Sequence, residues 1–488
     1  MNAETISQLY HERFSETSLI LVSNREPYIH RKTRHGIKIE TPAGGLTSAL
    51  DPVMRAISGT WVAWGSGSAD KKMSDEEGRV QVPPDDPAYT LKRVWLDQKE
   101  VDGFYYGYAN QALWPLCHML IEKARFRPRH WRHYFEVNRK FADAIVPEFK
   151  TGKNIVWIQD YHFTVLPYML RTRSKDVTIA LFWHIPWPPW EIFRVIPQGI
   201  EILRGMLGCD LIGFHLHRYC QNFLECAEKE LGARVDWDKN SLFYEGRTTR
   251  VLPFPISIDY DSFDELTRKN TTDANLIAIK KKLNVDGKYV GVGIDRLDYS
   301  KGILERVRAL KLFFEKYPAY LEKFTFVQIA VPSRTKIQEY NELKENIERM
   351  IGDINKEFGT GDWTPIIYYS KNVPHNELVR YYRIADIAIV SSIVDGMNLV
   401  AKEFIASQID ENGVLILSEF VGAMAELSQA LIINPFDIES FADTIRRGLE
   451  MPQKEKKRRM QKMRAYVQTH NIFDWIYDNL TAVQENMP

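Results

Sequence analysis

At 488 residues, 44% of them hydrophobic, the chain carries apolar material for two cores and exceeds one ordinary domain. Sixty-four basic and sixty-four acidic side chains cancel to a formal net charge of zero, which excludes a global field drawing the protein to nucleic acid or an anionic membrane, so any anionic ligand must be held by local charge. The four cysteines, Cys117, Cys209, Cys220 and Cys226, form no CxxC pair and show no zinc spacing with histidine; reduced, buried thiols and no metal centre are expected.

From the N-terminus, the segment up to Ser18 carries acidic residues and lacks a basic-then-apolar signal. No apolar run approaches the length that spans a bilayer. A soluble, cytoplasmic protein is expected. The first half then offers strands at 18–23 (SLILVS), 60–65, 154–158 (NIVWI), 178–183 (TIALFW), 211–215 (LIGFH) and 250–253. Helices at 46–57, 111–121, 131–148, 164–172, 196–207 and 217–231 interleave with them. Two prolines interrupt the extended stretch 252–260 (LPFPISIDY) and mark a domain boundary.

Beyond it the alternation becomes regular. Strands at 289–294, 324–330, 366–370, 387–392, 413–418 and 430–434 alternate with helices at 302–316, 336–357, 376–384, 399–408, 422–428 and 438–449. Such a βα series makes a mostly parallel, Rossmann-like sheet. The expected domains are therefore 1–258 and 259–464, with a terminal helix at 465–488. Ligands of parallel sheets sit beyond the strands' carboxyl ends, so function is expected in those loops.

Several loops there carry chemistry. Segment 295–302 (DRLDYSKG) leaves a strand and opens a helix, which suits an anion, and Arg296 and Lys301 add two cations. Pairing of both with Asp295 and Asp298 is the plainer reading. Segment 395–404 (DGMNLVAKEF) has the same placement: Asn398 caps a helix, Glu403 on that helix can take ribose hydroxyls, and Asp395 hexose hydroxyls. Helix carboxylates are otherwise simply solvated. In the first half, 42–46 (PAGGL) sets Gly44 and Gly45 at a helix start, and Arg25 follows the first strand in SNREPY. An ordinary turn and a surface arginine are the alternatives. Asp160 (in IQDYH) and His184 (in WHIPWPPWE) end neighbouring strands and share a rim, the latter among three prolines and three tryptophans.

Read together, SNREPY, AGGL, ALWPLCH, WIQDYH, HIPWPPWE, DLIGFH, DRLDYSKG, VPSRT, WTP and DGMNLVAKEF follow one another as in the trehalose-6-phosphate synthase family, which the chain resembles over nearly its whole length. The resemblance implies an α/β protein of two facing Rossmann-like domains (GT-B type) with the active site in the interdomain cleft. It implies a retaining, metal-independent hexosyltransferase without cofactor. The default reaction moves glucose from UDP-glucose to glucose 6-phosphate, giving α,α-trehalose 6-phosphate; ADP- or GDP-glucose stays open as donor. Carried over residue by residue, Arg296, Lys301 and the amides of Gly44 and Gly45 would bind the donor diphosphate, with Leu399 and Val400 nearby. Glu403 would hold the ribose, and Asp395 and His184 the transferred glucose. Arg25, Tyr105, Trp114, Asp160 and Arg334 would form the acceptor side, the arginines and the tyrosine hydroxyl taking its phosphate.

The resemblance also implies no nucleic-acid or membrane partner, leaves a homo-oligomer open, and folds the terminal helix 465–488 back onto the first domain. No phosphatase-like aspartate motif follows residue 404. The chain departs from the family pattern where HIPFPSSE becomes HIPWPPWE, introducing Pro189 and Trp190, and where HDYH becomes Gln159-Asp160-Tyr161-His162. Related glucosylglycerol-phosphate synthases look similar there, so glycerol 3-phosphate is the alternative acceptor. A non-catalytic sugar-phosphate sensor is the alternative of another class.

Overall fold

Apolar, β-branched runs bounded by turn residues become buried strands, and the amphipathic segments between them become crossover helices. The computed structural model describes residues 1–14, 17–41 and 45–486. The chain divides into two compact α/β units, Met1–Ile256 with the segment from Phe473 on, and Ser257–Ile472.

In the first unit the strands are β1 (Thr17–Arg25), β2 (Ile29–Thr33), β3 (Gly36–Glu40), β4 (Thr60–Trp64), β5 (Arg79–Val82), β6 (Tyr89–Val94), β7 (Lys153–Gln159), β8 (Val177–Phe182), β9 (Leu211–Phe214), β10 (Arg234–Asp236), β11 (Ser241–Tyr244) and β12 (Arg247–Pro253). Ten of them form one sheet in the order β10-β11-β12-β9-β8-β7-β1-β4-β6-β5, and β2 and β3 form a separate hairpin. Its middle is parallel, with antiparallel strands at both edges. From β1 the chain first builds outward through β4 and β6 and later through β7, β8, β9 and β12. Strand order therefore reverses between β1 and β7.

The second unit holds β13 (Tyr289–Arg296), β14 (Phe324–Val331), β15 (Ile366–Tyr369), β16 (Ile387–Val390), β17 (Val414–Ser418) and β18 (Leu431–Ile433). They form a wholly parallel sheet in the order β15-β14-β13-β16-β17-β18. Numbered within the unit this is 3-2-1-4-5-6, the doubly wound dinucleotide-binding order, which reverses between β13 and β16. Helices Ile303–Lys316, Gln338–Phe358 and Ile438–Leu449 cover one face, burying Phe313, Ile347 and Phe441 against Phe324, Phe326 and Ile416. Each such side chain contributes about 1.5–3 kcal/mol by leaving water.

The structure departs from the sequence reading at several elements. The units part after Ile256, before the expected boundary, and the return to the first unit begins at Phe473, not 465. Helix Gln453–Thr469 belongs to the second unit, and a break at His470-Asn471 precedes helix Ile472–Glu485. The expected helix at 111–121 is instead a wide-turned π-helix, Asp102–Leu113, whose register shows in the Trp114 amide donating to the Ala109 carbonyl. It runs straight into Trp114–Cys117. Strands β2, β3, β5, β6, β10 and β11 were not anticipated. In β6, Lys92 and Arg93 are buried charges that interrupt the apolar pattern. All four cysteines are free and buried. Among the described residues no helix is long and apolar enough to cross a membrane.

Arg93 explains how the end of β1 is held. Its Nε donates to Glu26 Oε2 (2.7 Å), and its Nη2 donates to the Tyr28 carbonyl (2.9 Å) and lies 3.2 Å from Asp70 Oδ1. Asp70 in turn accepts from the His30 amide (2.8 Å), and Glu26 from the Ser66 amide (2.8 Å). Two carboxylates thus share one guanidinium with both groups at 1% exposure or less. Burial first, then the neighbouring Asp70, pushes Glu26 up from 4.5 to about 8 despite Arg93.

The folded state then holds a proton that the unfolded chain releases, so this contribution is present below about pH 4.5 and lost as pH rises through about 8. Glu26→Gln removes the ionisation while its carbonyl oxygen still accepts from one of the two donors, Arg93 or Ser66. The variant should flatten that loss, gaining on the order of 1–3 kcal/mol over wild type at the alkaline end. Melting curves across this range check it; parallel pH dependence in the two proteins would contradict the assignment.

Candidate functional site

In the second unit, chemistry gathers at the β13/β16 reversal. Arg296 ends β13, and the chain turns through Asp298 and Lys301 to Gly302, whose φ is +61°. A Cβ at Gly302 would drive into the Ser391 carbonyl oxygen, so glycine lets this loop lie against the end of β16. Lys301 Nζ consequently reaches Asp395 Oδ2 at 2.6 Å. Asp395 Oδ2 also accepts from Ser392 Oγ (3.3 Å) and Asn398 Nδ2 (3.1 Å).

Of the two cations, Lys301 pairs with Asp395 rather than with Asp295 or Asp298 alone. Asp295 is taken by Arg306 Nη1 (2.6 Å), which also donates to Gln328 Oε1, while Arg306 Nε donates to Ser391 Oγ (3.0 Å). Arg306, fully buried in helix Ile303–Lys316, thereby ties β13 and β14 to the loop after β16. Asp298 is taken by Arg334 Nη1 (2.7 Å). Burial opposes its charge, but Arg334, then Arg296, the Ser300 amide and Lys301, hold its carboxyl below the usual carboxylate range.

Asn398 caps helix Leu399–Ser407 by accepting from the Ala401 amide (3.1 Å). Leu399 and Val400, both half-buried, are its first two residues, and amides of a first turn have no intrahelical acceptor. That end carries partial positive charge beside Lys301. Glu403, deeper on the same helix, is buried and accepts from Tyr382 Oη at 3.0 Å; burial raises its pKa, which His375 and that hydrogen bond partly offset. On the helix's other side Lys402 pairs with Glu426 at 2.7 Å, wholly buried.

In the first unit, Arg25, exposed at the tip of β1, donates from Nη2 to Tyr105 Oη (3.2 Å). Tyr105 lies on the π-helix and stacks on His162 (6.0 Å, 11°). Trp114, 4% exposed, packs on Tyr161 and His118. Asp160 follows β7 with φ +73°, a left-handed backbone unusual for aspartate and common at functional sites. Its Oδ1 accepts from the His184 amide (3.3 Å). The two neighbouring strand ends are thus linked. His184 Nε2 lies 2.9 Å from Gln159 Oε1. Desolvation, then His215 and His162, hold the imidazole well below its usual pKa, hence neutral. Gly45 opens helix Gly45–Ile57, whereas Gly44 lies outside the described residues. Arg334, grouped by sequence with these residues, is carried by the second unit.

Two features escaped the sequence reading. Arg306 sits mid-helix, where arginine reads as surface. Tyr382 lies in a helix whose sequence does not set it apart. Trp475, from the returning terminal helix, stacks on Trp157 (5.3 Å), packs edge-on to Phe182 (4.9 Å) and lies 6.3 Å from the His184 ring. The surroundings of Trp190 are also informative. Its indole N–H donates to Glu230 (2.6 Å), and Lys229 and Arg194 lie over its ring at 4.2 and 4.5 Å. Trp190 is thus engaged by its own unit. Among the described residues no group of three or more His, Cys, Asp or Glu side chains is placed to hold a metal.

Comparison with known proteins follows this geometry. The model of glycosyltransferase family 20 matches residues 17–485. A trehalose-6-phosphate synthase of Mycolicibacterium smegmatis is 39% identical over 97% of this chain and 94% of its own length. An α,α-trehalose-phosphate synthase (UDP-forming) of Burkholderia xenovorans, solved in complex with glucose 6-phosphate, superimposes with a TM-score of 0.85 at 30% identity, covering 96% of this chain and 100% of the other. An E. coli structure bound with UDP-2-fluoro glucose gives a TM-score of 0.86 at 30% identity over 96% and 99% of the two chains.

A neutral His184 has a direct signature. Its ring resonances should stay unshifted as pH falls through about 6.5, where an ordinary histidine protonates. NMR of ring-labelled protein checks this; a transition near the usual 6.5 would contradict the described environment.

Proposed function

The chain belongs to glycosyltransferase family 20, and from that premise we propose that it transfers glucose from UDP-glucose to glucose 6-phosphate, forming α,α-trehalose 6-phosphate with retention at the anomeric carbon. The observation that carries this reading is the convergence at the β13/β16 reversal. There Arg296, Lys301 and a capped helix start supply positive charge, and Asp395 and Glu403 supply hydroxyl acceptors on either side.

In this reading the second unit binds the donor. Arg296, Lys301 and the amides of Leu399 and Val400 take the diphosphate, Glu403 the ribose and Asp395 glucose hydroxyls; by the family resemblance Gly44 and Gly45 are assigned to the diphosphate and His184 to glucose hydroxyls. A neutral imidazole suits that last role, since it can donate one hydrogen bond to a hydroxyl and accept another. The first unit supplies the acceptor side through Arg25, Tyr105, Trp114 and Asp160. Arg334, carried by the second unit, is assigned to the acceptor's phosphate by the same resemblance. Likeness to trehalose-phosphate synthases over nearly the whole chain, one of them solved in complex with glucose 6-phosphate, supports the hexose phosphate over glycerol 3-phosphate.

Chemically, the bond from the anomeric carbon to the diphosphate oxygen breaks and its electron pair stays with the diphosphate. The acceptor hydroxyl adds to the same face of the sugar, and its proton passes to the departing phosphate oxygen. The protein's part is orientation and charge: Arg296 and Lys301 stabilise the leaving group, and the acceptor cations fix the attacking oxygen. No metal or other cofactor has a part in this scheme, and the proposed setting is the cytoplasm.

A panel of UDP-, ADP- and GDP-glucose against glucose 6-phosphate and glycerol 3-phosphate, with nucleotide release and the product's anomeric configuration as readouts, tests the reading. UDP-glucose with glucose 6-phosphate should give the strongest turnover, unchanged by EDTA. Turnover with glycerol 3-phosphate alone, or tight binding without nucleotide release, would overturn it. Arg296→Ala should lower kcat by about 100-fold or more; near-normal turnover at saturating donor would remove its assigned role.

A further inference from the structure

We infer that Asp298 is a positioning residue for Arg334, setting the direction in which that guanidinium meets the acceptor's phosphate. The inference rests on the proposed role of Arg334 and goes beyond it by naming what aims the side chain. Asp298 is 0% exposed and sits in the middle of the loop between Arg296 and Lys301. Its Oδ1 accepts from the Ser300 amide (3.0 Å), which fixes the carboxylate to the loop. Its Oδ2 accepts from Arg334 Nη1 (2.7 Å) and from Tyr340 Oη (3.1 Å). Tyr340 Oη in turn accepts from the same Nη1 at 2.5 Å. One nitrogen of the guanidinium is thus held by a closed triangle of carboxylate, phenol and cation.

This triangle does more than neutralise charge. Arg334 has φ +50°, a left-handed backbone in the loop after β14, so its side chain leaves the main chain from an uncommon conformation. A free arginine side chain loses much rotamer freedom when it binds. Recognition of phosphate by arginine also depends on aligning a planar fork. A buried carboxylate that fixes Nη1 settles both the rotamer and the plane before the acceptor arrives. In Asp298→Asn the amide oxygen can still accept from the Ser300 amide, so the loop that carries the donor cations keeps its own tether while Arg334 loses its anionic acceptor.

The sign of the effect separates aiming from general support. Asp298→Asn removes the anionic acceptor for Nη1 and also removes a negative charge near Arg296 and Lys301, which by itself cannot weaken their hold on a diphosphate. Loss of aim therefore raises the KM for glucose 6-phosphate alone, whereas distortion of the loop raises the KM for both substrates.

Steady-state kinetics of Asp298→Asn, Tyr340→Phe and Arg334→Ala with UDP-glucose and glucose 6-phosphate test the inference, alongside melting curves. In Asp298→Asn the KM for glucose 6-phosphate should rise about tenfold or more while that for UDP-glucose stays within about twofold. Tyr340→Phe should shift the same constant, by about threefold, and it serves in place of Asp298→Asn if that variant does not fold. An unmoved or lowered KM for glucose 6-phosphate, or an equal rise for both substrates, overturns the inference. If Arg334→Ala itself leaves the acceptor KM unmoved, the role of Arg334 fails and the inference falls with it; if only Asp298→Asn and Tyr340→Phe leave it unmoved, the role of Arg334 stands and the inference alone is wrong.

Discussion

Reversal of strand order is the constraint on which the second unit's chemistry depends. Crossover helices cover the carboxyl ends of strands that follow one another on the same side, but β13 and β16 send their chains to opposite sides of the sheet. The gap between them cannot be filled by either crossover. Into it come the turn after β13 and the turn after β16, and their closeness is set by Gly302 lying on the Ser391 carbonyl. Lys301 meets Asp395 because of that approach, although 94 positions separate them in sequence. The same constraint operates in the first unit, where the ends of β1 and β7 carry Arg25 and Asp160.

Charge compensation gives these turns their shape. Three aspartates of the second unit's site have specific cations: Asp295 with Arg306, Asp298 with Arg334, Asp395 with Lys301. Buried pairs add little net stability, since desolvation offsets most of the attraction, but removing one partner is costly. They act as registers, admitting one arrangement of the loops. Glu26, Asp70 and Arg93 do the same at the end of β1, with one carboxylate in excess and a proton retained on Glu26. Local pairing thus replaces any overall field in a chain whose formal charges sum to zero.

The second unit was readable almost strand by strand, because β14 (FTFVQIAV) or β17 (VLILS) is a short apolar run between polar turns. Edge strands of the first unit were not. Tyr89–Val94 carries Lys92 and Arg93 within a strand, and their burial follows from partners at distant positions, Arg93 finding Glu26 67 residues away. The π-helix Asp102–Leu113 left no periodic signal, since its turns are wider than the helical spacing a pattern search assumes. Arg25, Asp160, His184, Arg296, Lys301 and Asp395 were visible by type and by position after a strand, whereas Tyr105, Trp114 and Arg334 came only with the family resemblance. What was invisible was their support. Arg306 and Tyr382 act through tertiary contact, and nothing in their immediate neighbours in sequence distinguishes them from ordinary helix residues.

The placement of Trp475 bears on how the molecule comes into being. The first unit is encoded first, yet the aromatic wall behind His184 and the indole N–H that caps the Phe254 carbonyl at 3.1 Å come from a helix made after the whole second unit. During synthesis the early sheet can pair its strands but leaves Trp157 and Phe182 without this cover until helix Ile472–Glu485 emerges. Maturation of this half is therefore tied to synthesis of that helix: a chain cut before Trp475 leaves a first unit that exposes apolar rings.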